Sequence, residues 1–344
     1  MRSDGACAGL APAQDCVVVT SIQSDRAPES WIAHRAEDFT VAAPPGLQRF
    51  GPAVQASLCG APGAPAIVML GGISADRHPC VRADGTPGWW SGLAGRGCAI
   101  DPDRHRILGI DFLADASGQL APSTRDQAEI VCAVLDGAGI EQAHAIVGSS
   151  YGGMVALSLG QHFPGRAKRL AVISACAEPH AAATAVRELQ RRIVALGIDA
   201  GTPDEALSIA RGLAMLTYRT TEEFAARFAG GMADESVRGG SEPGAYLRAR
   251  GEAWCRTMTP ERFLSLSASI DRHLVDPSGI ALPVLLVGAE SDQLVLAAQM
   301  RTLADRLAGP SALHLLPSLY GHDLFLKDCD RLGALVGPFL DEAL

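Results

Sequence analysis

The segment Gly148-Ser149-Ser150-Tyr151-Gly152-Gly153 constrains this chain more than any other, because of what stands on either side of it. An apolar, β-rich run at 144–147 (HAIV) leads directly into it, and a run of helical period starting near Tyr151 leads directly out. A strand that becomes a helix within so few residues forces the central residue into a strained backbone geometry. Flanking glycines suit such a turn, since a Cβ there would collide with the crossing backbone. Ser150 is thereby lifted clear of the sheet. Its hydroxyl lies at a helix N-terminus, where the dipole and unpaired N–H groups favour developing negative charge.

Around this turn the chain alternates between two periods. Short β-rich runs occur at 39–43, 53–59, 66–70, 106–112, 144–147, 169–174, 283–287 and 312–316, several of them continuous apolar stretches bounded by Gly, Pro or Asp. That is the pattern of strands buried on both faces of a parallel sheet. Helical periods fill 123–139, 151–163, 297–307 and 329–340, so right-handed crossovers and a mostly parallel sheet follow. The alternation breaks at 177–276, which carries helical patterns and almost no strand signal, and resumes at Pro283. The expected organisation is a loosely ordered leader at 1–35, an α/β core at 36–176 and 277–344, and an inserted helical cap at 177–276. No internal repeat interrupts this scheme.

A strand, a G-x-S-x-G turn and a helix in this order describe the α/β-hydrolase fold, in which the acid and the histidine follow the serine along the chain. Serine alone is a weak nucleophile and needs a base within hydrogen-bond reach. Two late loops qualify. After the run at 283–287 comes Gly288-Ala289-Glu290-Ser291-Asp292-Gln293, and after that at 312–316 comes Pro317-Ser318-Leu319-Tyr320-Gly321-His322-Asp323. Both lie at the carboxyl ends of strands, where open α/β sheets place their sites. His322 is expected to take the Ser150 proton and Asp292 to hold the imidazole in the right tautomer, with Glu290 the rival acid. An oxyanion hole needs two backbone N–H groups. Tyr151 offers one, and the loop Gly71-Gly72-Ile73-Ser74 offers the other, from Ile73 first and Gly72 next.

Composition narrows the setting. With 48% hydrophobic residues among 344, the chain can bury a large core by itself, and a net charge of −9 with scattered arginines excludes a nucleic-acid footprint. Nine cysteines, odd in number and never spaced C-x-x-C, suggest neither a disulfide framework nor a zinc site, and no metal is expected. The amino terminus lacks the charged-then-apolar layout of a secretory signal, and no stretch reaches the roughly 18 apolar residues of a spanning helix, so a cytoplasmic protein without membrane contact is expected.

Five stretches together resemble the homoserine O-acyltransferases of methionine biosynthesis. They are Gly88-Trp89-Trp90 with the following Ala99-Ile100-Asp101-Pro102-Asp103-Arg104, the turn at 148–154, Met215-Leu216-Thr217-Tyr218-Arg219-Thr220, Tyr246-Leu247-Arg248 with Ile270-Asp271-Arg272-His273, and Tyr320-Gly321-His322-Asp323. The resemblance implies a ping-pong transfer in which Ser150 is acylated by an acyl-CoA, acetyl-CoA first and succinyl-CoA next, and His322 with Asp292 then activates the hydroxyl of L-homoserine. It implies that Arg219 meets the α-carboxylate of that amino acid and Asp323 its α-ammonium, which suits a planar donor fork and an acceptor-only group. It further implies a homodimer, with acyl-CoA as co-substrate and no other cofactor. Ser149 and Tyr151 stand where the family usually has Gly and Met or Leu, residues 71–74 replace a His-Ala-Leu-Thr-like stretch, and the loop at 113–122 is short. A hydrolase with the same triad, and transfer to L-serine, are the alternatives.

Overall fold

Eight short apolar runs pair into one sheet among the described residues, which are 36–82, 84–228, 230 and 240–342 of this computed structural model. The leader read at 1–35 lies outside them. The strands are β1 (Glu37–Ala42), β2 (Ala53–Gly60), β3 (Ala66–Leu70), β4 (Arg106–Ile110), β5 (Ala145–Ser149), β6 (Leu170–Ile173), β7 (Val284–Ala289) and β8 (Ser311–Leu316). Their order is β1-β2-β4-β3-β5-β6-β7-β8, parallel throughout except that β2 runs antiparallel to both β1 and β4.

The continuous apolar runs arise because both sheet faces are covered. Val68, Ile146, Val172 and Leu286 point into one core, shared with α1 (Thr124–Gly137) and α2 (Tyr151–His162). Their chain neighbours Ile67, Val147, Ile173 and Leu285 point into the other, with Trp90, Leu93 and α10 (Cys329–Asp341). Each such side chain contributes about 1.5–3 kcal/mol on burial, so a one-residue slip would move the whole set and is strongly disfavoured. Helix α1 starts where it does because Ser123 and Asp126 form a capping box, each side chain accepting from the other's backbone N–H.

Most strand ends differ from the sequence expectation by one or two residues, and two of the differences bear on the site. Strand β5 runs on to Ser149, paired with Ile173, and so delivers the chain straight to Ser150. Strand β4 stops at Ile110 instead of Phe112, because the Asp111 carboxylate turns aside to take the Arg77 N–H at 2.8 Å and Nη1 at 3.0 Å.

Between β6 and β7 lie α3 (Ala181–Asp199), α4 (Pro203–Tyr218), α5 (Thr221–Arg227), α6 (Glu242–Trp254) and α7 (Pro260–Asp271), with α8 (Ala297–Arg306) and the single turn α9 (Leu324–Lys327) following later. Asp271, at the end of α7, accepts from Arg187 at 2.7 Å and Arg191 at 2.6 Å, both on α3. Just beyond it, His273 is 2% exposed, its Nδ1 2.8 Å from the Thr124 hydroxyl and its Nε2 2.9 Å from the Cys176 carbonyl. The carbonyl can only accept, so Nε2 carries the proton and Nδ1 accepts from Thr124.

Burial pushes the His273 pKa down to about 4, against a smaller upward pull from the Cys176 carbonyl. An unfolded histidine titrates near about 6.5. Between these values the unfolded chain takes up a proton that the folded one refuses, so stability is complete above the upper value and falls as pH drops through the window. Urea unfolding of the wild type should lose about 3 kcal/mol from pH 6.5 to 4 through this group alone. His273→Gln, which keeps a donor and an acceptor, should show a flatter dependence; identical slopes would remove His273 as the cause.

Candidate active site

Strands β5, β7 and β8 are parallel, so their carboxyl ends share one edge of the sheet, and there the chain sets Ser150, Asp292 and His322. Ser150 has φ 53° and ψ −120°, a conformation that a side chain rarely tolerates. Such strain costs about 1–3 kcal/mol and survives only where the surroundings over-determine it. Here the Ser150 N–H donates to Ile173 O at 2.8 Å and that of Gly152 to Gly71 O at 2.9 Å. A Cβ on Gly148 would overlap the Gly152 carbonyl, and one on Gly152 would overlap that of Leu70. Strand β3, strand β5 and helix α2 therefore meet at backbone contact, and only glycine fits between them.

The serine Oγ lies 2.8 Å from His322 Nε2, and His322 Nδ1 lies 2.8 Å from Asp292 Oδ2. Asp292 is an acceptor, so Nδ1 carries the proton and Nε2 is free to accept from Ser150. The other carboxylate oxygen accepts from the N–H groups of Leu294 at 2.8 Å and Val295 at 3.1 Å, which fixes the plane of the group. Glu290 is exposed, its N–H spent on Leu316 O, and it does not meet His322. Gly321 precedes the histidine at φ 56°, in close approach to the Tyr218 carbonyl. The imidazole is boxed by the rings of Tyr218 at 5.8 Å and Phe325 at 6.0 Å. Phe325 is itself held by Trp90, whose Nε1 donates to its carbonyl at 2.7 Å, giving Trp90 a supporting place behind the histidine.

Burial opposes a charge on His322, but the adjacent Asp292 carboxylate and the nearby Asp323 outweigh it, and the pKa is raised above the ordinary histidine value. A base of this kind is strengthened towards the proton it must take.

Beside Ser150 runs the loop after β3, close enough that a Cβ on Gly72 would stand 3.9 Å from that of Ser150. Among the described residues, no recorded hydrogen bond uses the N–H of Tyr151, Gly72 or Ile73. The Tyr151 side chain points the other way, against Phe112 at 4.7 Å, with its hydroxyl on Ser269 of α7.

Arg219 and Asp323 come together, but not in the expected form. The Arg219 guanidinium donates from Nη1 to Glu223 at 2.5 Å, its Nε lies 3.3 Å from Asp323, and the residue is 8% exposed at the end of α4. Asp323 lines a cavity of about 240 Å³ with Ser150 and His322, whereas Arg219 stands behind it. Glu223 escaped the sequence reading although it lies four residues after Arg219. Arg211 and Arg187, which also line the cavity, escaped it too. For Arg211 the signal was its place seven residues before Tyr218, on the same side of one helix.

The α/β hydrolase fold family matches residues 65–328. A homoserine O-succinyltransferase of Xanthomonas campestris is 40% identical over 283 residues, covering 81% of this chain and 76% of its own. The chain belongs to the homoserine O-acyltransferase family. A serine O-succinyltransferase of Stenotrophomonas maltophilia is 32% identical, covering 80% of this chain and 87% of its own. The crystal structure of a homoserine O-acetyltransferase from Bacillus anthracis superposes with a TM-score of 0.78 at 16% identity, over 90% of this chain and 98% of that one, a likeness of fold. As a member of this family the protein is an enzyme of the acyltransferase type.

Fluorophosphonate labelling reads the reactivity of a base-assisted serine directly. Its rate at Ser150 should fall as pH drops through a midpoint above about 6.5, because a protonated His322 cannot accept the serine proton. Asp323→Asn removes one of the charges raising that midpoint and should lower it; an unmoved midpoint would count against the electrostatic account. Asp292→Asn should slow labelling by about a thousandfold or more, on the scale of other Ser-His-Asp sites, and Glu290→Gln should not.

Proposed function

We propose that this enzyme carries an acyl group from an acyl-CoA to the hydroxyl of L-homoserine through an ester on Ser150, as a step in methionine biosynthesis. The observation that carries the reading is the charged cluster beside the nucleophile. Arg219, Glu223 and Asp323 sum to one negative charge, Glu223 Oε2 is buried without a partner among the described residues, and Asp323 faces the cavity next to His322. An excess carboxylate suits an α-ammonium, and Arg219 keeps an Nη2 edge for the α-carboxylate. A simple esterase has no use for this arrangement.

In the first half-reaction His322 Nε2 accepts the Ser150 proton as Oγ attacks the thioester carbonyl. The N–H groups of Tyr151 and of Ile73, or else Gly72, stabilise the oxyanion. Collapse of the intermediate expels coenzyme A, which takes the proton from His322. In the second half the homoserine hydroxyl, positioned by Asp323 and Arg219, gives its proton to His322 and attacks the ester, and Ser150 regains a proton as it leaves. No further cofactor is required.

L-serine is the second acceptor reading, favoured by the resemblance to the Stenotrophomonas enzyme. The proposal extends to a cytoplasmic homodimer. Its support is the exposure of Leu196 and Ile209, at 68% and 54%, on neighbouring helices α3 and α4, and the free state of the cysteines among the described residues. No helix among the described residues is long and apolar enough to cross a membrane.

Mass spectrometry after mixing with an acyl-CoA alone should find one acyl group on the Ser150 peptide, and none in Ser150→Ala. Arg219→Ala and Asp323→Ala should each cut kcat/KM for homoserine by about 10- to 100-fold while the Ser150 ester still forms. An ester that passes only to water, whatever amino acid is supplied, would establish a hydrolase instead.

A further inference from the structure

Arg211 lines the cavity that holds Ser150 and His322. Its guanidinium carbon lies 5.3 Å from the ring centroid of Tyr218 and 5.0 Å from that of Trp254. Among the described residues it makes no recorded hydrogen bond or ion pair. The cavity's other arginine is committed: Arg187 donates to Asp271 at 2.7 Å and to Thr184 at 3.2 Å. Arg219 stands behind the cavity, paired with Glu223 and Asp323.

Two aromatic rings flanking a guanidinium hold it by cation–π attraction and leave its N–H edges, the ones that fork around a carboxylate, free to donate. The clamp is itself anchored, since Trp254 Nε1 donates to Ser74 Oγ at 3.0 Å, and Ser74 follows Ile73 in the loop beside Ser150. The cavity wall also includes Met154, Val295 and Phe325, buried apolar residues suited to methylene groups. A guanidinium with free N–H edges has little to offer an acetyl group, which carries no second charge.

We infer that Arg211 is the donor-specificity residue, binding the distal carboxylate of a succinyl group while its thioester end reacts with Ser150. The inference rests on the acyl-transfer reading above, and it reverses the donor order expected from sequence, in which acetyl-CoA came first. The coenzyme A phosphates and the acceptor's α-carboxylate are the other anions the reaction brings near, and each leaves a different kinetic mark.

The test follows coenzyme A thiol release from the full-length enzyme, without acceptor, using succinyl-CoA and its uncharged counterpart butyryl-CoA. The wild type should be acylated about 10- to 100-fold faster by succinyl-CoA, and in Arg211→Met that ratio should collapse towards one. Arg211→Lys, which keeps the charge without the planar fork, should recover part of it. A fall for both donors with the ratio intact would assign Arg211 to the phosphates. Unchanged acylation with a raised homoserine KM would assign it to the acceptor. Either result overturns the inference, and so does a wild-type ratio near one, which decides the matter even if the variants fail to fold. A wild type that forms no ester with any acyl-CoA would instead bring down the acyl-transfer reading, and the inference with it.

Discussion

Everything at this site depends on one crowded crossing, where β3, β5 and the first turn of α2 touch through backbone atoms. Ser150 keeps φ 53° only because Ile173 O and Gly71 O tie down the residues around it and because neither Gly148 nor Gly152 has a Cβ to part them. The same closeness brings the loop after β3 against the serine, so the hydroxyl and two unspent N–H groups are delivered by one packing event. Strain and reactivity are therefore two aspects of one contact.

Charge is then layered outward from that point. The single carboxylate that touches His322 has its second oxygen fixed by two backbone donors, so its position is set by the β7 loop and not by solvent. Asp323 adds a further negative charge at the cavity wall, and Arg219 and Glu223 behind it keep the cluster from being a bare buried anion. A lone carboxylate at that depth would bear the full cost of burying an unpaired charge. On the opposite side, His273 joins α1, the end of β6 and the end of α7 while staying neutral, a join that needs no counter-ion.

Much of this was legible in the sequence because it is local or tied to strand ends. The Gly-x-Ser-x-Gly turn between an apolar run and a helical one implied the strained serine, and chain order within the fold led to His322. The sequence placed Asp292 ahead of Glu290 without a local reason to exclude the rival, since both stand in one short loop. The choice is decided by the sheet: the Glu290 N–H still pairs with Leu316 O, continuing the β7–β8 ladder and leaving its side chain outside, and only past that point does the loop turn inward. Likewise β4 ends early through a carboxylate–arginine contact between residues 34 positions apart. Arg211 was only half legible for a similar reason. Tyr218 shares its helix, but Trp254 reaches it only through the packing of α4 on α6, and no local period reports such a pairing.

On the proposed reading, helix α4 carries both kinds of recognition. Arg211 sits within it and Arg219 at its end, eight residues on, which at the rise of an α-helix is about 12 Å along the axis. A rigid helix holds that separation whichever group is bound. An acyl chain on Ser150 can thus be read at one point and the amino acid's charged ends at another, without either disturbing the other. Substitution at Arg211 would, on that reading, alter the donor contact and leave the Arg219, Glu223 and Asp323 cluster intact, because no contact joins the two arginines. Relatives named for homoserine and for serine, and for succinyl and for acetyl groups, are what a scaffold with separable donor and acceptor contacts permits.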